Sequence, residues 1–216
     1  MDVAQRVEAC RKRLQSLDGF PLLESERLQL RAPREQDVAT TFALFSDPTV
    51  MRYWSRSAMT DEQEAVEYLD GIARGFHERS FINWIVVDRA EHRMVGTCTL
   101  YEIMPQHLRT GIGYAILPEA QGRGFASEAV HMAVSWAFEV LGLHRVEADI
   151  HPDNLPSRRV LERCGFHEEG LLRERFCTAS EIQHSLVFGR LVSDPTPARA
   201  PRRVGGPAED SGPMLA

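Results

Sequence analysis

Residues 111–131 constrain this chain more than any other stretch. Gly111-Ile-Gly-Tyr-Ala-Ile-Leu117 is crowded with apolar residues as a buried strand is, and Pro118 ends it because proline brings no donor to a ladder. Gln121-Gly-Arg-Gly-Phe-Ala126 follows, after which Ala129, Val130, Ala133, Val134 and Ala137 recur at helical spacing. The stretch reads strand, glycine turn, helix. Such a turn aims the amides of Gly122, Arg123, Gly124, Phe125 and Ala126 out of a helix N-terminus, where the macrodipole favours an anion. Gly122 and Gly124 lack a Cβ and so admit close approach and positive φ, while Arg123 offers a charged fork. A phosphate group suits this arrangement. Glycines at a strand-to-helix turn also serve the turn alone, so the phosphate reading calls for a second signal.

No Gly-Lys-Ser/Thr follows the loop, which excludes a P-loop, and the pattern is not the Gly-x-Gly-x-x-Gly of a dinucleotide site. The second signal lies downstream, in Asn154-Leu-Pro-Ser157 followed by Gly165-Phe166. The 121–126 loop resembles the Gln/Arg-x-x-Gly-x-Gly/Ala pyrophosphate loop of the GNAT superfamily of acyl-CoA-dependent N-acetyltransferases. The Asn-x-x-Ser helix ending in Gly-Phe resembles a second motif of the same superfamily, at the spacing expected. The resemblance spans about residues 24–191. It is closest to the branch that acetylates the N-termini of ribosomal proteins and to its antibiotic- and small-amine-modifying relatives.

The resemblance implies an α/β (α+β) fold: a mixed, mostly antiparallel sheet of six to seven strands, splayed at its centre and flanked by helices. It implies acetyl-CoA as donor and a protein N-terminus or small primary amine as acceptor. Gln121, Gly122, Arg123, Gly124, Phe125 and Ala126 would hold the pyrophosphate. Ala115, Ile116 and Leu117 would offer backbone to the pantetheine arm, and a free amide of Leu117 would stabilise the thioester oxygen as charge develops there. Asn154 would hold a pantetheine amide and Ser157 would protonate the departing sulfur; read as plain residues, Asn154 is a helix cap and Ser157 fills a first turn.

Relatives of the ribosomal-protein enzymes often carry a Glu base where the anchor strand begins or on the strand after Gly-Phe. Here those places read Gly111 and Phe176. Glu102 is the first substitute, with Glu174 and His184 behind it, and a water chain is an alternative. Tyr53, Trp54, Trp84 and Tyr101 offer flat apolar walls and cation–π contact to an amine, or else belong to the core. The missing acids also leave open a different class of protein, an acyl-CoA sensor or partner-binding module with little catalysis. Against it stands the share of this reaction that alignment alone supplies.

Length and composition fit this frame. At 216 residues and 43% hydrophobic, the chain suits one domain with a sizeable core. No apolar run approaches the roughly 20 residues of a membrane span, and residues 1–17 lack a signal peptide's apolar region, so a cytoplasmic location is expected. Cys10, Cys98, Cys164 and Cys177 are scattered and the histidines lack ligand spacing, so reduced packing thiols and no metal are expected. A net charge of −6 argues against a nucleic-acid partner and suits a cationic acceptor.

Along the chain, residues 1–19 carry Val3, Val7, Cys10, Leu14 and Leu17 at helical spacing, an extra helix that would pack on its own domain or on a second copy in a homodimer. The catalytic domain is expected over 20–192. Strands are predicted at 27–31, 81–88, 94–103, 110–117, 145–150, 170–176 and 181–191, and helices over 33–45, from Thr60 as cap to 76, after the glycine loop, and from Asp153 or Asn154 to Gly165. The Pro- and Gly-rich 193–216 reads as a disordered tail.

Overall fold

The computed structural model describes residues 1–178 and 181–197, with the backbone of 208 and 209. In chain order the elements are α1 (Val3–Gln15), β1 (Pro21–Glu24), β2 (Leu28–Arg31), α2 (Val38–Ser46), α3 (Pro48–Met51), α4 (Glu62–His77), β3 (Ile82–Asp88), β4 (Arg93–Met104) and β5 (Arg109–Ile116). They continue with α5 (Phe125–Trp136), β6 (Arg145–Ile150), α6 (Leu155–Arg163), β7 (His167–Cys177), β8 (Ile182–Leu191) and β9 (Ala208–Glu209). All the strands form one sheet in the order β7-β8-β6-β5-β4-β3-β2-β1-β9. Every pairing is antiparallel except β5 with β6.

Two strands exceed the seven read from sequence. Pro21–Glu24 lies outside the strands expected from sequence, yet it pairs with β2, and a proline at the first residue of a strand costs no ladder bond. The pair at 208–209 lies against Pro21 and Leu22; most of the expected tail falls outside the described residues.

Local chemistry sets the helix ends. Asp2 and Gln5 exchange side-chain bonds with each other's amides and start α1, whose Cys10 and Leu14 are buried against the rest of the chain. Helix α4 is capped by Asp61, which accepts from the Gln63 amide at 2.9 Å, and not by Thr60 as expected. The Thr60 hydroxyl donates to Glu64 instead. A carboxylate accepts more strongly at a helix start than a hydroxyl, which explains the one-residue shift. Arg31 and Asp37, both buried, form a two-pronged pair at 2.7 and 2.8 Å that ties β2 to the turn before α2.

The sheet opens at its centre. β5 and β6 pair in parallel only over Arg109–Arg145, Thr110–Val146 and Gly111–Glu147, and beyond that β6 follows β8 while β5 follows β4. On the other side of β5, the register with β4 shifts between Tyr101 and Met104, where Glu102 takes φ +48°. The gap between β5 and β6 is therefore a slot through the sheet. α5 and α6 start beside it.

Candidate functional site

The backbone of β5 supplies the first part of the site. The Leu117 amide donates to the Val95 carbonyl at 2.9 Å, so it is a rung of the β4–β5 ladder and not free. The oxyanion donor expected at Leu117 is thereby corrected: antiparallel bonding alternates, so the odd-numbered residues 113, 115 and 117 point to β4, and Ile112, Tyr114 and Ile116 turn their amides and carbonyls to the slot. The Ile116 carbonyl accepts from Gln121 Nε2 at 3.1 Å. Gln121 thus fixes the loop to the strand, and the Tyr114 and Ile116 amides are left facing the slot. Ala115 and Ile116 line the cleft on the loop side, and Leu117 does not.

The loop holds the strand-to-helix geometry that its glycines suggested. Gly122 and Gly124 have φ of +75° and +84°, and a Cβ on Gly122 would meet nothing within 4 Å, so an open cradle lies before α5. No side chain caps α5, which leaves its first amides, those of Phe125, Ala126 and Ser127, pointing into the cleft. Arg123 departs from expectation. Its guanidinium bonds Asp88 at 3.0 Å and Glu91 at 3.2 Å, turned away from the cleft, so it contributes its backbone and not a charged fork. The positive charge comes from a place that the sequence reading passed over. Arg159 and Arg163, one turn apart on α6, line the same cleft, and no carboxylate among the described residues pairs with either. A second clamp holds the loop from behind. Buried Glu128 accepts from Ser25 at 2.6 Å and binds Arg27, which in turn donates to the Arg123 carbonyl at 3.0 Å.

Asn154 and Ser157 sit where the slot opens. Asn154 caps α6, its Oδ1 accepting from the Ser157 amide at 3.1 Å, so the side chain serves the helix and lines the cleft at once. Ser157 Oγ lies 2.8 Å from the hydroxyl of Tyr114, a residue absent from the sequence-based set because in a buried strand an aromatic reads as core. Burial pushes the Tyr114 phenol up, so it stays a neutral hydroxyl able to donate to Ser157.

A second cleft continues from the slot. Tyr53, Trp54, Tyr114, Asn154 and Ser157 line both, and the two measure about 460 and 320 Å³, each large enough for a small-molecule ligand. The second is walled by Tyr101, Glu102, Asp149, His151, Arg175, Phe176 and His184 as well. The Tyr101 ring lies over Gly111, where a Cβ would stand 2.3 Å from Cε2. By alternation Gly111 and Gly113 share that face of the sheet, and Tyr114 points to the other. Tyr53 stacks on His151 at 5.2 Å, and the Arg56 guanidinium sits over the rings of Phe45, Trp54 and Tyr68, which pins the segment carrying Tyr53 and Trp54. Glu102 is exposed at the rim. Glu174 lies outside the cleft, its amide donating to His184 Nδ1 at 2.8 Å.

Trp84 is a correction. It is 0% exposed, donates its indole N–H to the Pro21 carbonyl at 2.7 Å and packs edge-on against Trp136 at 5.5 Å. It belongs to the core, because β3 is buried along its whole length on both faces and offers no pocket side. Trp84→Ala is expected to cost about 3–5 kcal/mol of stability by denaturant unfolding; a loss under 1 kcal/mol would contradict this placement.

Comparison with known proteins bears on this geometry. A family model described as an acetyltransferase (GNAT) domain matches residues 27–167. The uncharacterized N-acetyltransferase YoaA of Bacillus subtilis is 37% identical over 155 residues, covering 72% of this chain and 88% of that protein. The crystal structure of spermidine N-acetyltransferase from Vibrio cholerae in complex with CoA and spermine superposes with a TM-score of 0.69 at 28% identity, over 78% of this chain and 97% of that one. The ribosomal-protein-S5-alanine acetyltransferase of Vibrio fischeri shares the fold, with a TM-score of 0.70 at 23% identity over 80% and 97% of the two chains. Among the described residues no helix is long and apolar enough to cross a membrane.

Proposed function

We propose, since this chain belongs to the GNAT family of acetyltransferases and is an acetyl-CoA-dependent N-acetyltransferase, that its acceptor is a cationic primary amine, carried by a small polyamine-like molecule or a protein N-terminus. One observation carries the reading: two clefts meet at Tyr114, Asn154 and Ser157, one bordered by an anion-binding loop and the other by aromatic rings and carboxylates. The residues suit acetyl-CoA. The uncapped start of α5 and the open cradle at Gly122 receive pyrophosphate, Arg159 and Arg163 add charge, and the slot-facing edge of β5 offers backbone to an amide-bearing arm. Acetyl-CoA supplies an activated thioester.

The chain's own residues then do three things. Tyr53, Trp54 and Tyr101 hold the amine's alkyl part and its charge, so that attack proceeds from a bound, aligned pair. The Tyr114 or Ile116 amide receives the oxygen on which negative charge develops, in the role that Leu117 cannot fill. Ser157 gives its hydroxyl proton to the departing sulfur and is held for that by Tyr114. Among the described residues no cysteine lines either cleft: Cys98 and Cys164 are buried, with burial pushing Cys164 up to about 12, and the exposed Cys177 lies outside both linings. Transfer is direct.

Free-thiol release from acetyl-CoA, followed with polyamines and with N-terminal peptides, tests the acceptor. Turnover on at least one is expected. Tight acetyl-CoA binding without turnover on any would favour a sensor or binding module instead, and robust turnover would exclude that module.

A further inference from the structure

The acceptor cleft holds four groups that can take up a proton: Glu102, Asp149, His151 and His184. Hydrogen bonding separates them. His184 Nδ1 accepts from the Glu174 amide and His151 Nδ1 accepts from the Asp153 amide at 3.1 Å. An imidazole that accepts a backbone N–H at Nδ1 carries its own proton on Nε2, so each ring offers the cleft a donor and not an acceptor. Two carboxylates are left. Glu102 is exposed, on a bulge.

Asp149 stands at a different place. The last parallel pair of the sheet is Gly111 with Glu147, and two residues further along, where the strands have parted, Gly113 and Asp149 face each other across the open slot. Asp149 shares its face of β6 with Glu147, the face on which Tyr101 covers Gly111, and it is half-buried. Its Oδ1 accepts from the Ser185 hydroxyl at 2.8 Å, and among the described residues no cation pairs with it. Glu147, by contrast, is taken by Arg109 at 2.5 Å and Arg145 at 2.6 Å. The charged or titratable groups around Asp149 are Tyr101 and Glu102 on β4, Tyr114 on β5, Glu147 on β6, His151 after it, Arg175 on β7 and His184 on β8. Burial and the negative charges of Asp149, Glu102 and Glu147 push the Tyr101 phenol up to about 12, a sign of how negative this wall is.

We propose that Asp149 is the carboxylate that receives the acceptor's ammonium group at the slot and takes its first proton, with Ser185 holding it in place. This rests on the transferase reading above. Ser185 occupies one oxygen and leaves Oδ2 for the amine. The ammonium proton passes to Oδ2, the freed lone pair forms the C–N bond and the C–S bond breaks as Ser157 protonates the sulfur. The extra proton on the acylated nitrogen replaces, through solvent, the one that Ser157 gave. Asp149 then releases its own to solvent, so one proton leaves per turnover.

Asp149→Asn keeps an acceptor for Ser185 but not the charge. With spermidine and an N-terminal peptide as acceptors, kcat/KM at pH 7 should fall on the order of 10²-fold, the lower end for general acid–base catalysis. The loss should be greater for spermidine, because an alkyl amine has a pKa near 10 against roughly 8 for an α-amine and so depends more on having its proton removed. In the variant kcat/KM should climb about tenfold per pH unit toward the amine pKa, as free amine becomes the substrate, while the wild type stays flatter. Acetyl-CoA affinity by calorimetry should be unchanged. Wild-type rates and pH profile in Asp149→Asn, or a profile altered by Glu102→Gln alone, overturn the assignment and leave the transferase reading intact. No turnover by the wild type on any acceptor overturns both.

Discussion

Replacing Gly124 with valine is expected to weaken acetyl-CoA binding about 10³-fold while the fold persists. Gly124 is the last residue before α5 and has φ +84°, a conformation in which a β-branched side chain is strained by roughly 1–2 kcal/mol. The protein itself does not obstruct the new carbon, since the nearest atom to a Cβ there is Arg27 Nη2 at 3.6 Å. What it obstructs is the approach of a phosphate to the uncapped amides of α5. Hydrogen bonds to a charged group are each worth about 1.5–3 kcal/mol, so losing two removes roughly 4 kcal/mol, or three decades of affinity. Calorimetry gives the affinity and circular dichroism the fold. An undiminished affinity in a folded variant would put the cofactor elsewhere.

Ser157→Ala is expected to reduce turnover on the order of 10²-fold with little change in acetyl-CoA affinity, because its hydroxyl matters once the C–S bond is breaking. The change should be clean structurally. The Ser157 backbone carbonyl lies 3.2 Å from the Tyr114 hydroxyl, so this buried donor keeps an acceptor when Oγ is gone. Single-turnover rates separate this step from binding and product release. Wild-type turnover in the variant would reduce Ser157 to a first-turn residue of α6.

How far the sequence led depends on whether a feature is local. The glycine loop, the Asn154 cap and the β3–β4 hairpin rest on a few adjacent residues, and they stand where the sequence put them. The Leu117 amide is not free as its sequence suggests, because which amides face the slot depends on the register with β4 at Val95, 22 residues away in the chain. Arg123 lies close to the expected anion in sequence, but Asp88 and Glu91 reach it from the β3–β4 turn. Trp84 sits in a strand buried on both faces, where no alternation marks a pocket side. Tyr114 and Asp149 acquire meaning only when β5 and β6 part, and no short stretch of residues announces that.

The Tyr101 ring lying on Gly111 limits the order in which this cleft can change by mutation. A carboxylate side chain at position 111 needs a Cβ at 2.3 Å from that ring, so the ring must first be displaced. Removing Tyr101 first strips a wall from the acceptor cleft before any new base is present. The two positions are therefore coupled sterically. While this tyrosine and glycine stay together, position 111 has no room for a side chain, and any side-chain base in this cleft has to come from another position.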